Sequence, residues 1–199
     1  PAEKRLAVLP VHNPGGTAED QAICEGLQDY VAARLGELDR FHGALWVVPA
    51  AEVLRSGVRT DGAAGRGLGV NLALDITVQR VAGRSVPRDP EDRLMRRRAI
   101  RQLMPRLRAL RPEVVHIHTP FVAHYAGVEI ARELDLPVVT TYHTYFDHYF
   151  EHYLPFLPRR LLAAVARRVT VAQCAAAHVV ISPSSAMRDA LRAYGVGGR

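Results

Sequence analysis

The sequence predicts an α/β fold: a three-layer, mostly parallel Rossmann-like sheet with helices on both faces. Short apolar, β-branched runs that end in polar groups carry the prediction, most clearly at residues 114–121 and 138–144. A buried parallel strand reads as such a run, and an α/β protein binds ligands at the carboxyl ends of its strands. These runs alternate with stretches whose apolar residues recur every three or four positions, as helices crossing between parallel strands require. The bulk numbers agree: 199 residues, 48% apolar and 23% charged, suit one large or two small globular domains.

The elements follow in order. Residues 5–11 read as the first strand, leading into the loop His12-Asn13-Pro14-Gly15-Gly16-Thr17. A helix over 19–38 has Thr17 as its N-cap and Ile23, Leu27, Val31 and Leu35 as its core face. Residues 41–50 form a second strand, 51–56 a short helix, 62–69 a Gly-rich stretch and 71–80 a third strand. Pro87, Pro90 and a cluster of charges break the composition over 85–93. The domain boundary is placed there, giving parts 1–84 and 85–199 that are able to pack as one α/β unit. A helix over 91–110 presents Leu94, Ile100, Leu103, Leu107 and Leu110 on one face, ringed by arginines and kinked at Pro105. Then come the His116 strand, a helix over 122–134, the His143 strand and a mostly helical stretch, 146–177, broken at Pro155 and Pro158. A strand over 178–181 and a helix over 184–194, capped by Ser184 or Ser185, complete the pattern.

Net charge is +6 and comes almost entirely from arginine, Lys4 being the only lysine. Such a balance suits nucleic acid, anionic lipid or phosphorylated substrates. No base-reading motif accompanies it, so nucleic acid is not favoured. The arginine-rich helix is compatible with peripheral contact at a membrane or with an ordinary solvated face. No apolar run reaches the roughly 18 to 20 residues that span a bilayer, and the chain opens with no secretion-signal pattern, so a cytoplasmic location is expected. Cys24 and Cys174 match no metal or redox spacing and read as buried thiols.

Several residues carry chemistry by type and place. His143 ends a strand; it is either a cleft imidazole or a core histidine bonded to a backbone carbonyl, and the residues alone leave both open. His116 and His118 lie two apart and share a strand face. His118, nearer the carboxyl end, is the cleft residue, and His116 is expected to be buried structure. Thr119, Pro120 and Phe121 form the turn, with Thr119 doubling as an N-cap and Pro120 as the first helical residue. His148 and His152, four apart beside Asp147 and Glu151, have zinc spacing but no His-Glu-x-x-His motif, and no metal is expected. The aromatics between Tyr145 and Phe156 suit either an amphipathic wall or simple packing. Gly15-Gly16 after the first strand is a candidate phosphate loop, with a plain turn competing. Residues 65–69 lack the Gly-x-Gly-x-x-Gly order and are set aside as a dinucleotide site.

Two resemblances are carried by these stretches. Residues 111–121, 136–144, 181–184 and 191–196, with the aromatic run 145–157 between them, resemble the amino-terminal domain of family 4 retaining glycosyltransferases of the GT-B fold. Within that family they look closest to the branch that glycosylates lipids such as diacylglycerol. The resemblance implies transfer of a sugar, with retention, from a nucleotide-sugar donor to a lipid or small-molecule hydroxyl, with no cofactor. It implies a catalytic role for His143, which would hydrogen-bond the transferred sugar. His118, Thr119, Phe121, Thr144 and Tyr145 would line the acceptor pocket. Gly15 and Gly16 only loosely imitate the family's Gly-Gly loop near the donor phosphate. The family holds the donor mainly with a second Rossmann-like domain bearing Glu-x7-Glu; these 199 residues hold no such domain, whether one follows Arg199 is left open, and the chain alone is expected to be inactive. With no obvious carboxylate nucleophile, a front-face mechanism is implied, in which the leaving phosphate helps deprotonate the acceptor. Residues 5–10, 14–20, 43–50 and 68–72 instead look like a domain of TolB-like proteins and bacterial Ser/Thr kinases, which has no catalytic residues. That resemblance implies the alternative function, a non-catalytic sensory or interaction module. The join near residue 85 is open to three readings: natural fusion, misassembled gene or engineered chimera.

Overall fold

The computed structural model describes residues 3–14, 16–42, 45–86, 89–143 and 158–197. The chain divides into two compact units, Pro1–Arg80 and Val81–Arg199.

The first unit contains β1 (Lys4–Val8), α1 (Ala18–His42), β2 (Leu45–Val47), α2 (Ala50–Ser56), α3 (Asp61–Leu68) and β3 (Leu72–Leu74). Its three strands are parallel in the order β2-β1-β3. The central strand explains the unbroken apolar run. Ala7 and Leu9 pack with Val48, Val53 and Ala64, while Val8 packs with Ala32 and Ala50, so alternate residues fill two separate clusters.

Thr17 and Asp20 form a reciprocal capping box at the start of α1. The Asp20 N–H donates to Thr17 Oγ1 at 3.2 Å, and the Thr17 N–H donates to Asp20 Oδ2 at 3.0 Å. The core stripe of α1 is rotated by about one residue from the expected one. Cys24, Gln28 and Ala32 are buried, whereas Ile23 is 54% exposed. A polar contact sets this rotation: Gln28 Nε2 donates to the Val8 carbonyl at 2.9 Å, so a glutamine occupies the middle of the buried face. The Gly-rich stretch is the helix α3, begun by Thr60 Oγ1 accepting from the Ala63 N–H and ended by Gly69 at φ 61°.

The second unit opens with β4 (Gly83–Val86) and β5 (Asp89–Met95), an antiparallel pair where a linker and the start of a helix were expected. Both strands of such a ribbon are edges, so Pro90 is tolerated in β5. The next helix, α4 (Arg97–Leu110), therefore starts after Leu94, and its buried residues are Ile100 and Met104, while Leu110 is exposed. There follow β6 (Val115–Ile117), α5 (Val122–Leu134), β7 (Val138–Thr141), α6 (Arg159–Ala175), β8 (Val179–Ile181) and α7 (Ser185–Tyr194). Ser184 caps α7, its hydroxyl accepting from the Met187 N–H at 3.2 Å.

β6, β7 and β8 form a second parallel sheet in that order. The expected single sheet is thus two three-stranded parallel sheets, one per unit, because the hairpin interrupts the β-α-β alternation; the α/β class stands.

The two faces of the β6-β7-β8 sheet differ. Register places Ile117 beside Thr140 and Thr140 beside Val180. That face is covered: Ile117 and Val138 pack with Ala131 and Val128 of α5, and Val180 packs with the Tyr142, Ala166, Met187 and Leu191 cluster of α6 and α7. Gly127 lets α5 approach β6, since a Cβ there would lie 2.7 Å from Ile117 Cδ1. The opposite face carries His116, Val139, Thr141, Val179 and Ile181 by alternation. On it Val179 and Ile181 are 52% and 42% exposed, and His116 is exposed as well.

Candidate functional site

The open face of the second sheet carries the site. β6 and β7 are parallel neighbours with His116 beside Val139, so the residues just past their carboxyl ends converge. His118 follows Ile117, and His143 lies two beyond Thr141. Their rings meet: His118 Nδ1 and His143 Nε2 are 3.2 Å apart, and the rings stack with centroids 5.5 Å apart and planes inclined by 20°. The His116 ring lies 4.1 Å from that of His118. His116 Nε2 in turn shares a 2.8 Å hydrogen bond with Thr141 Oγ1. Four polar side chains thus form a ladder across the ends of two adjacent strands. His116 was expected to be buried; it is exposed instead, although Thr141 on the same face is buried.

Charge and burial keep His118 neutral. Desolvation, then the neighbouring His116 and His143 rings, push its pKa below the ordinary 6.5. A neutral imidazole offers one donor and one acceptor, the pattern needed to hold a hydroxyl.

A small cleft adjoins the ladder, lined by Thr119, Tyr142 and His143 from the strand ends and by Gln173 and Cys174 from α6. Its walls are tied down. Gln173 Nε2 donates to the Pro120 carbonyl, and Tyr142 Oη shares a 2.8 Å bond with Thr170 Oγ1. Cys174 offers no nucleophile, since burial pushes its thiol up to about 11.

Thr119 was also expected to cap α5. It does not: the N-cap is Phe121, with no side-chain hydrogen bond, so the Thr119 hydroxyl takes no part in helix capping and is exposed at the cleft. Phe121 itself is half-buried and packs against the Tyr142 cluster. Thr144 and Tyr145 lie outside the described residues, as do the aromatic run, His148, His152 and Gly15. Gly16 sits in the first unit, in a turn: its N–H donates to the Asn13 carbonyl at 3.3 Å, and a Cβ there would come within 1.8 Å of the Asn13 amide. Among the described residues no group of three or more His, Cys, Asp or Glu side chains is arranged to hold a metal ion. Thr141 and Gln173 were not singled out from the sequence. Thr141 was legible, since it shares a strand face with His143; Gln173 is recruited by tertiary packing and leaves no local signal.

Comparison with known proteins decides the family. Residues 50–199 match the family described as Glycosyltransferase Family 4. The chain belongs to that family. The match begins inside the segment likened above to TolB-like and kinase-associated domains, and that second likeness gains no support. The alpha-monoglucosyldiacylglycerol synthase of Streptococcus pneumoniae is 33% identical over 91 residues. The alignment covers 42% of this chain and 19% of the synthase, so the chain spans about a fifth of that relative. A solved Listeria monocytogenes structure, assigned as a UDP-N-acetylglucosamine 2-epimerase, aligns over 98% of this chain and 42% of its own at 14% identity, with a TM-score of 0.38. Among the described residues no helix of this family member is long and apolar enough to cross a membrane.

Proposed function

We propose that this chain supplies the acceptor side of a retaining glycosyltransferase. A sugar would pass from a nucleotide-sugar donor to a hydroxyl of a lipid, diacylglycerol-like, or of a small molecule. The observation that carries the reading is the contact between His118 and His143 at the carboxyl ends of two adjacent parallel strands, beside a cleft, in a family 4 chain. Ligands of open α/β sheets bind at such strand ends.

His143 contributes an exposed ring that hydrogen-bonds a sugar hydroxyl and so orients the sugar as positive charge develops at its reacting carbon. The exposed hydroxyl of Thr119, together with His118, meets the acceptor; the family resemblance gives Thr144 and Tyr145, which lie outside the described residues, the same role. Among the described residues no carboxylate lines the cleft, which favours departure of the donor phosphate on the face the acceptor enters, the phosphate taking the acceptor proton. The donor is held mainly by a second domain of the family's carboxyl-terminal type, and residues 85–199 belong to the acceptor domain. Gly15 and Gly16 are weaker candidates for contact with the donor phosphate, since the turn at Gly16 already accounts for its glycine.

Complementation tests the reading. The chain is mixed with a family 4 carboxyl-terminal domain, a radiolabelled nucleotide sugar and vesicles containing diacylglycerol. The chain alone should transfer nothing, and the mixture should label the lipid. Turnover by the chain alone would remove the need for a second domain. A stable mixed complex that never transfers would favour the non-catalytic module instead.

A further inference from the structure

The groove between α5 and α6 holds a second set of polar groups, apart from the histidine ladder. Its volume is about 450 Å³, the size of a small-molecule site. His124 and Gln173 are buried residues of its wall, with 3% and 6% of their surface exposed. A polar side chain so deeply buried normally has a hydrogen-bond partner. Neither ring nitrogen of His124 has one among the described residues. Its ring contact is with Tyr125, which stands perpendicular to it with centroids 5.4 Å apart. Among the described residues, Arg5 Nε alone is both unpartnered and sealed from solvent. The His124 nitrogens are therefore unpartnered but open, and the groove is the opening they line.

Gln173 adds a fixed acceptor. The Pro120 carbonyl can only accept, so it takes the Nε2–H and sets the orientation of the amide. Oε1 is left without a partner among the described residues and, by the same reasoning, open. Burial lowers the pKa of His124 below its ordinary 6.5, so the ring is neutral at pH 7. Whichever nitrogen carries the proton, it then offers one donor and one acceptor.

That pattern suits hydroxyls, which donate and accept at once. The charged residues of the lining are one carboxylate, Glu129, and one guanidinium, Arg132, so the groove selects for neither an anion nor a cation. Tyr125, 56% exposed, supplies an aromatic surface, and Val128 an aliphatic one, for the C–H face of a sugar ring.

We propose that the groove between α5 and α6 is a binding site for an uncharged saccharide, whose hydroxyls bond His124 and Gln173 while a ring packs on Tyr125. The site is separate from the His118–His143 cleft and does not rest on the transfer reaction proposed above.

The test uses the full chain without donor, so its outcome is independent of transfer. Histidine is labelled with 15N in the ring, and the chain is titrated with methyl α-glucoside, methyl α-galactoside and methyl α-mannoside. At least one glycoside should shift the His124 ring signals saturably in the millimolar range, while those of His118 and His143 stay in place. Affinity in variants is read from saturation transfer to the glycoside protons. His124→Phe removes two hydrogen bonds and should weaken binding by about tenfold or more. Tyr125→Ala removes an exposed ring, leaves the fold intact and should weaken it by about fivefold. Should His124→Phe fail to fold, Tyr125→Ala decides. A His124 ring that no glycoside moves overturns the proposal. Shifts confined to His118 and His143 overturn it too, since the sugar then sits in the cleft. So does inorganic phosphate moving the His124 signals as much as the glycoside does, which marks an anion site, or wild-type affinity in the folded variants.

Discussion

The two parallel sheets of this chain end differently, although both present histidine and threonine at the carboxyl ends of neighbouring strands. In the first unit those groups are engaged with one another. Thr17 and Asp20 cap α1, Arg80 pairs with Asp20, Asn13 closes the turn at Gly16, and His12 faces Asp75 at 3.7 Å. In the second unit the corresponding groups stay available. Thr119 leaves α5 uncapped, and His118 and His143 touch each other on an exposed face. Strand order alone therefore does not make a site; a site requires that the polar groups at the strand ends remain free of structural duties.

The sharpest way to break this contrast is to remove one imidazole from each end. His143→Ala should lower transfer in the complemented enzyme by about a hundredfold or more, the usual loss for a group acting on developing charge. Because the ring is exposed, stability should change by no more than about 0.5 kcal/mol. His12→Ala should leave transfer unaltered. Initial rates of labelled lipid formation compare the two, and equal losses would place a functional site in the first unit as well.

Much of this second site was legible because its strands follow elementary rules. The runs ending at His118 and His143 are apolar, short and one helix apart, and α5 spans Val122–Leu134, the span its periodicity indicates. The failures have physical causes. Gln28 stands in the buried stripe of α1 because a carbonyl of β1 needs a partner, and a stripe read from apolar residues alone passes over it. Residues 85–93 hold enough proline and charge to read as a linker, yet pairing across the ribbon outweighs composition. Thr119 is a good N-cap by type, but the chain turns two residues later, at Phe121. His116 looked like core because its neighbours are apolar; whether the second face of the sheet is covered is a tertiary matter.

Packing gives a second comparison, between two helical glycines. Gly127 lets α5 settle on β6, whereas Gly26 on α1 has nothing within 4 Å of where a Cβ would stand. Gly127→Val should cost about 2 kcal/mol through overpacking against Ile117 and should loosen the strand that bears His116 and His118. Gly26→Ala should instead add about 0.5 to 1 kcal/mol from helix propensity. Urea unfolding of both variants reads the difference. A neutral Gly127→Val would mean that α5 does not hold β6 in place.

The two threonines separate structural from functional use more finely. Thr17→Ala removes half of the α1 capping box and should cost about 1 kcal/mol. Thr119→Ala removes no cap and should cost less than about 0.5 kcal/mol, while weakening acceptor use in the complemented enzyme. If Thr119→Ala destabilises as much as Thr17→Ala, its hydroxyl has a structural partner and the contrast between the two ends narrows.

The smallest expected effect is a difference in how acid acts on the two units. His124, buried in α5, is pushed below its ordinary 6.5 by desolvation. The unfolded chain then binds the proton more readily than the folded one. The contribution is harmless above pH 6.5, and stability falls as the pH drops from 6.5 toward the depressed folded value. Asp20 in the first unit is shifted down as well, chiefly by its hydrogen bond from the Thr17 backbone, so it too loses stability in acid, but in a lower pH window. Its support is present above pH 3.8 and is lost only as the pH falls through its lower folded value. Hydrogen exchange followed down the pH scale should therefore show the second unit loosening first, and His124→Phe should flatten that early loss while leaving the first unit's acid limit where it was. Simultaneous loosening of both units would mean that burial of His124 does not govern the second.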